Sequence, residues 1–89
     1  MKIEIWIESL NTKKLIHGMS YEDTQSNTKQ DAAQRAWHIT NGANMLLEGD
    51  DLSLRTRWEA LHPGIAVSVN DIVIVDGIKL KCLPEGWHS

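Results

Sequence analysis

The run Ile72-Val73-Ile74-Val75-Asp76-Gly77-Ile78-Lys79-Leu80-Lys81-Cys82 constrains this chain more than any other segment. Four consecutive β-branched residues favour extended backbone, and an Asp-Gly pair between apolar runs suits a type I′ turn, whose two central positions need positive φ. The segment therefore predicts a β-hairpin. Ile78, Leu80 and Cys82 alternate with Lys79 and Lys81, so the returning strand has one wet face, whereas Ile72 to Val75 is apolar on both faces and belongs inside a sheet.

The N-terminus supplies further strands. Ile3, Ile5 and Ile7 alternate with Lys2, Glu4, Trp6 and Glu8, the period-two pattern of a strand with one buried face. The polar tetrad from Asn11 to Lys14 suits a turn, after which Leu15-Ile16-His17 returns as a second strand ending at Gly18. Residues 20–27 are polar, follow neither period and read as a surface loop.

Helical signals occupy the middle of the chain. Thr28 is suited to an N-cap, with Asp31 placed to reciprocate, and Ala32, Ala33, Ala36, Trp37 and Ile39 form an apolar stripe. Together these predict a helix over residues 29–41, closed by a left-handed cap at Asn41-Gly42. Residues 43–47 leave two readings open, an extension of that helix past a glycine kink or a separate turn. Asp50 or Asp51 can cap a second helix, on which Leu54, Trp58 and Leu61 fall at i, i+4 and i+7. That helix ends at His62-Pro63-Gly64, because proline disfavours helical geometry in the residue before it. With 89 residues there is room for one core, so the expectation is a single α+β domain over 1–89: a small antiparallel sheet with two helices packed on one face.

Charge and cysteine usage narrow the function classes. The net charge is −3 and the nine Lys and Arg residues are scattered, so no basic stripe for direct nucleic-acid binding is present. The imbalance is equally too mild for an acidic mimic of DNA. No run approaches the length of a membrane span, and the charged alternation at the N-terminus is unlike a signal peptide. Cys82 is the only cysteine, which excludes an intramolecular disulfide and fits a reducing cytoplasm.

Residues able to carry chemistry do not assemble into a recognisable set. His17, His38, His62 and His88 lack the paired spacings of a zinc site, and Glu48, Asp50 and Asp51 lack the ligand spacing of a calcium loop. There is no Gly-rich phosphate loop, nucleophile elbow or paired-His helix. Cys82 admits two readings, a nucleophile beside a spatially adjacent histidine or a buried structural thiol; its alternation with Leu80 favours the second. The expectation is no catalytic residue, no metal and no cofactor.

The aromatic residues are unusual: four tryptophans, one tyrosine and no phenylalanine. Trp37 and Trp58 sit on apolar helix stripes and read as core. Trp6 points away from the isoleucine face. If helices cover that face, Trp6 lies on the open side of the sheet with Val73 or Val75 beside it, an apolar patch of the kind that marks a partner site. The competing reading is a second small cluster, or an indole flattened against lysine stems.

Residues 67–77 read Val-Ser-Val-Asn-Asp-Ile-Val-Ile-Val-Asp-Gly, and the chain goes on to Cys-Leu-Pro-Glu-Gly-Trp at 82–87. This is similar to the C-terminal segment of the YodL-like family, small Firmicutes mobile-element and phage proteins that end in S-L-S-V-x-D-V-V-x-x-x-G and a strand closing on G-F or G-W. The matching positions are Ser68, Val69, Asp71, Ile72, Val73, Gly77, Gly86 and Trp87, about a quarter of the chain being covered. Lys79 and Lys81 depart from the pattern, standing where the family tends to have tyrosines. What the resemblance implies is context, a phage or mobile-element accessory protein, and no activity.

The motif also has a structural reading. Ser68 and Asp71 can bond nearby backbone and fix a tight turn, Gly77 permits the hairpin, and Gly86-Trp87 folds the tail back so that the indole covers one end of the core. The functional expectation is a small non-enzymatic accessory protein acting by protein–protein binding to an unknown partner, with inhibition of a host defence system as one such role. The alternatives are a homo-oligomeric structural or assembly protein and a small enzyme using Cys82.

Overall fold

The computed structural model describes residues 1–8, 13–41 and 47–89. In chain order the elements are β1 (Lys2–Glu8), β2 (Leu15–Glu22), α1 (Lys29–Thr40), α2 (Gly49–Leu61), β3 (Ile72–Val75), β4 (Ile78–Leu83) and β5 (Gly86–His88). The strands form one sheet in the order β2-β1-β3-β4-β5, every neighbouring pair antiparallel, and both helices pack against it in an α+β fold.

Register explains which side is buried. Ile3 and Ile5 lie opposite Val75 and Val73, and Val73 lies opposite Leu80. Alternation therefore brings Ile3, Ile5, Ile7, Met19, Tyr21, Val73, Val75, Leu80 and Cys82 to one face, where they meet Ala32, Ala33, Ala36 and Ile39 of α1 and Trp58 of α2. The alanines of α1 leave room for close approach of helix to sheet. Asp76 and Gly77 have φ of 49° and 83°, both positive as the type I′ turn requires. Asp76 also ties the hairpin to β1, its Oδ1 accepting from Lys2 N at 2.7 Å and its own N–H donating to Lys2 O at 2.9 Å.

β2 is longer than its sequence suggests. It continues through Gly18 to Glu22 because Met19 and Tyr21 carry the apolar alternation onward, so Ser20 to Glu22 belong to the strand and the expected loop is shorter. Ile5 pairs with Met19 while Trp6 pairs with His17, which leaves Gly18 as the extra residue of a β-bulge. Past the strand, the buried Asp23 organises the turn: Oδ1 accepts from Gln25 N (2.8 Å) and Ser26 N (2.9 Å), and Oδ2 from Ser26 Oγ (2.6 Å). Arg35 of α1 bridges Asp23 at 3.0 Å and Asp51 of α2, to which its Nε donates at 2.8 Å.

The helix ends differ in detail from expectation. Thr28 Oγ1 accepts from Asp31 N at 3.0 Å, as a capping threonine should. At the other end Asn41 has φ −100° and is not left-handed; Gly42 and residues 43–46 lie outside the described residues. Side chains close α1 instead. Asn41 Nδ2 donates to Trp37 O and Val67 O, both at 3.0 Å, and Arg55 of α2 donates to the carbonyls of Ile39 and Thr40. The N-cap of α2 is Glu48, without a side-chain cap bond, so neither Asp50 nor Asp51 caps that helix; both lie in its first turn, where Asp51 is engaged by Arg35. Of the apolar stripe on α2, Trp58 is fully buried, Leu54 is half-buried and Leu61 is 56% exposed.

Candidate functional site

The face of the sheet opposite the helices is built by the other half of each strand's alternation. Trp6 stands between His17 of β2 and Ile72 of β3, and Ile72 is followed by Lys81 and then His88. In the neighbouring row Glu4 stands between Ser20 and Ile74, and Ile74 is followed by Lys79. Trp6, Ile72 and Ile74 thus form a central apolar patch, each half-buried by its neighbours, with no described element laid over it.

Trp6 meets the His17 ring edge-on, centroids 5.4 Å apart, and His17 Nε2 lies 2.6 Å from Ser20 Oγ. The indole N–H of Trp6 is buried and finds no acceptor among the described residues. Around the patch the β1–β2 side carries Glu4, Glu8 and Glu22 together with Lys2, which stands opposite Glu22, while β4 carries Lys79 and Lys81. Among the described residues Glu4, Glu8, Lys79 and Lys81 form no ion pair.

Val73 and Val75 do not belong to this patch. Both are fully buried on the helix-covered face, and the patch residues beside Trp6 are Ile72 and Ile74. The hairpin contained the signal: a two-residue turn pairs Val75 with Ile78 and hence Ile74 with Lys79, which puts Ile72 and Ile74 on the wet side.

The exposed edge of β2 is occupied by side chains of α2 and of its C-cap His62. Arg57 Nη2 donates to Ser20 O at 3.1 Å, and His62 Nε2, as the donor tautomer, reaches Gly18 O at 3.0 Å. These contacts cover carbonyls that would otherwise template an added strand. The opposite edge, β5, is three residues long.

Within the motif at 67–87, Ser68, Asp71, Gly77, Gly86 and Trp87 all take part in turns or contacts of the fold, whereas Val69 is exposed. Asp71 is buried; its Oδ1 accepts from Glu8 N at 2.9 Å, and its Oδ2 from Ser68 N at 2.9 Å and Ser68 Oγ at 3.3 Å. Gly77 forms the turn, Gly86 opens β5 with φ 137°, and Trp87 packs partly buried against the core while donating to Gln34 Oε1 at 3.1 Å. Trp87 and Cys82 border a cleft of about 530 Å³ whose walls include Trp37, Val67 and Leu83 and no histidine. Burial raises the pKa of Cys82, the nearby Asp71 charge adds to the shift, and both keep the sulfur a neutral thiol at neutral pH. A second cleft, about 670 Å³, opens between Ile7, Ile16, Ile65 and Val69.

Among the described residues no group of three His, Cys, Asp or Glu is placed to hold a metal ion, and no helix is long and apolar enough to cross a membrane. No protein-family model matches the chain, and no solved structure does. Over 58 residues it is 36% identical to a caffeate CoA-transferase of Acetobacterium woodii, a match covering 65% of this chain and 10% of that protein. The chain thus spans about a tenth of the length of the relative it matches.

Proposed function

We propose that this chain is a small non-enzymatic accessory protein of a phage or mobile element, and that it acts by binding another protein through the open face of its sheet. The observation that carries the reading is the uncovered patch of Trp6, Ile72 and Ile74, framed by Glu4, Glu8, Lys79 and Lys81, which form no ion pair among the described residues. A tryptophan set among aliphatic residues and rimmed by charge is the composition of an interaction hot spot. The strand edges are poor alternatives, since α2 side chains occupy one and the other is short. Inhibition of a host defence protein is one role such a face could serve. Chemistry at Cys82 is disfavoured by its raised pKa and by a cleft without a histidine.

The test is affinity purification of the tagged chain from its bacterial host beside Trp6→Ala and Ile74→Thr variants, each checked for folding by circular dichroism. The reading expects a stoichiometric partner retained by the parent chain and lost with both variants. A partner retained by both folded variants would contradict it.

A further inference from the structure

We infer that the occupant of the open face is a second copy of this chain, paired face to face about a two-fold axis running along β3. The inference rests on the reading of that face as the binding surface and commits it to one occupant.

The layout of charge across the face fits that operation. In the sheet order β1 and β4 flank β3 on opposite sides, and the cross-strand rows run Glu4–Ile74–Lys79 and Trp6–Ile72–Lys81. Rotation by 180° about an axis along β3, lying between the two faces, lays β1 of one copy over β4 of the other and keeps each row in register. Glu4 then faces Lys79 of the second copy, and Lys79 faces Glu4 of the second copy. In the next row Trp6 faces Lys81 of the second copy, an ammonium over an indole. Ile72 and Ile74 meet their own counterparts at the centre. These two central rows, with Glu4 and Trp6 on one side of the isoleucine seam and Lys79 and Lys81 on the other, are self-complementary under that one operation, which is what an isologous interface requires. Aligned packing of two twisted sheets is an ordinary geometry for such faces.

The experiment is sedimentation equilibrium of the full chain over a concentration series, with Glu4→Lys and Lys79→Glu alone and mixed in equal amounts. The parent chain should dimerise. Each single variant places like charges opposite one another twice and should weaken the dimer by about tenfold or more. The equimolar mixture should regain parental affinity, because in the mixed dimer both contacts are again of opposite sign. A parent chain that stays monomeric up to about 1 mM would overturn the inference, as would a dimer indifferent to both variants. Lys81→Glu is a second probe should either variant fold poorly. If the chain is monomeric yet Trp6→Ala still loses a captured partner, the self-pairing fails and the binding reading stands. If capture is also indifferent to Trp6, both fail.

Discussion

The ring of Trp58 fills the space that a side chain on Gly18 would need: a Cβ there would sit 2.9 Å from the ring and 3.1 Å from the carbonyl oxygen of Ile5. Neither neighbour can yield. Trp58 is fully buried, held by a 2.6 Å bond from its indole N–H to Ile65 O and by the His62 ring at 4.6 Å, while the other contact is backbone inside the sheet. The bulge at Gly18 is thus where α2 docks onto the sheet. Gly18→Ala should destabilise the fold by about 1–3 kcal/mol through overpacking, and Trp58→Ala by about 3–5 kcal/mol through the cavity it leaves. Urea denaturation of the two variants beside the parent chain measures both.

Asp71 should behave as a structural carboxylate. It receives Glu8 N from β1 and both donors of Ser68, so it fastens the turn before β3 to the end of β1. Asp71→Ala leaves those donors without their acceptor and should cost at least about 1–3 kcal/mol. Ser68→Ala, which removes only the weakest of the three contacts, should cost less. Thermal unfolding of the pair ranks them.

Acid should unfold the chain partly through Asp23. Burial alone would raise its pKa, but hydrogen bonds from Ser26 and Gln25 together with the Arg35 charge outweigh it, and the carboxyl sits below its ordinary value. A carboxyl whose folded pKa is depressed contributes stability above its unfolded pKa and loses it as pH falls through the folded one. Stability should therefore decline below about pH 4, and Asp23→Asn should lower stability at neutral pH while flattening that acid limb. Urea midpoints measured as a function of pH would show it; a variant curve parallel to the parent's would contradict the assignment.

Trp6 separates two contributions that truncation would confuse. Its indole N–H is buried without an acceptor among the described residues, so Trp6→Phe removes an unsatisfied donor and keeps an aromatic ring. That variant should match or exceed the parent's stability, by up to about 1 kcal/mol, whereas Trp6→Ala should be less stable because it loses the ring's contacts with His17 and its other neighbours. Denaturant midpoints of the two variants distinguish these outcomes.

Much of the architecture was legible because it depends on alternation and turn chemistry. Ile3, Ile5 and Ile7 announced β1, Asp76-Gly77 announced the hairpin, and Thr28 marked the start of α1. What sequence concealed depends on tertiary partners. Met19 and Tyr21 carry β2 on to Glu22, but the register shift at Gly18 that keeps them on the buried face sits against Trp58, a helix residue far along the chain. α2 starts at Gly49, which puts Asp51 inside its first turn, where Arg35 of α1 pairs with it. The open face was legible directly in Trp6, whereas its neighbours could be read only through the hairpin register, since Ile72 to Val75 is apolar on both sides and the pairing with Lys79 and Lys81 decides which pair faces water. The edge contacts of Arg57 and His62 carried no sequence signal at all, because they join residues remote in the chain through backbone carbonyls.

The surface proposed to meet the partner is the open face, and no other apolar surface. The most direct measurement is quantitative partner capture by Trp6→Ala beside Leu61→Ala, which truncates a 56% exposed leucine on α2, remote from that face. Trp6→Ala should lose the partner and Leu61→Ala should retain it fully. Retention with a folded Trp6→Ala, or loss with Leu61→Ala alone, would contradict it.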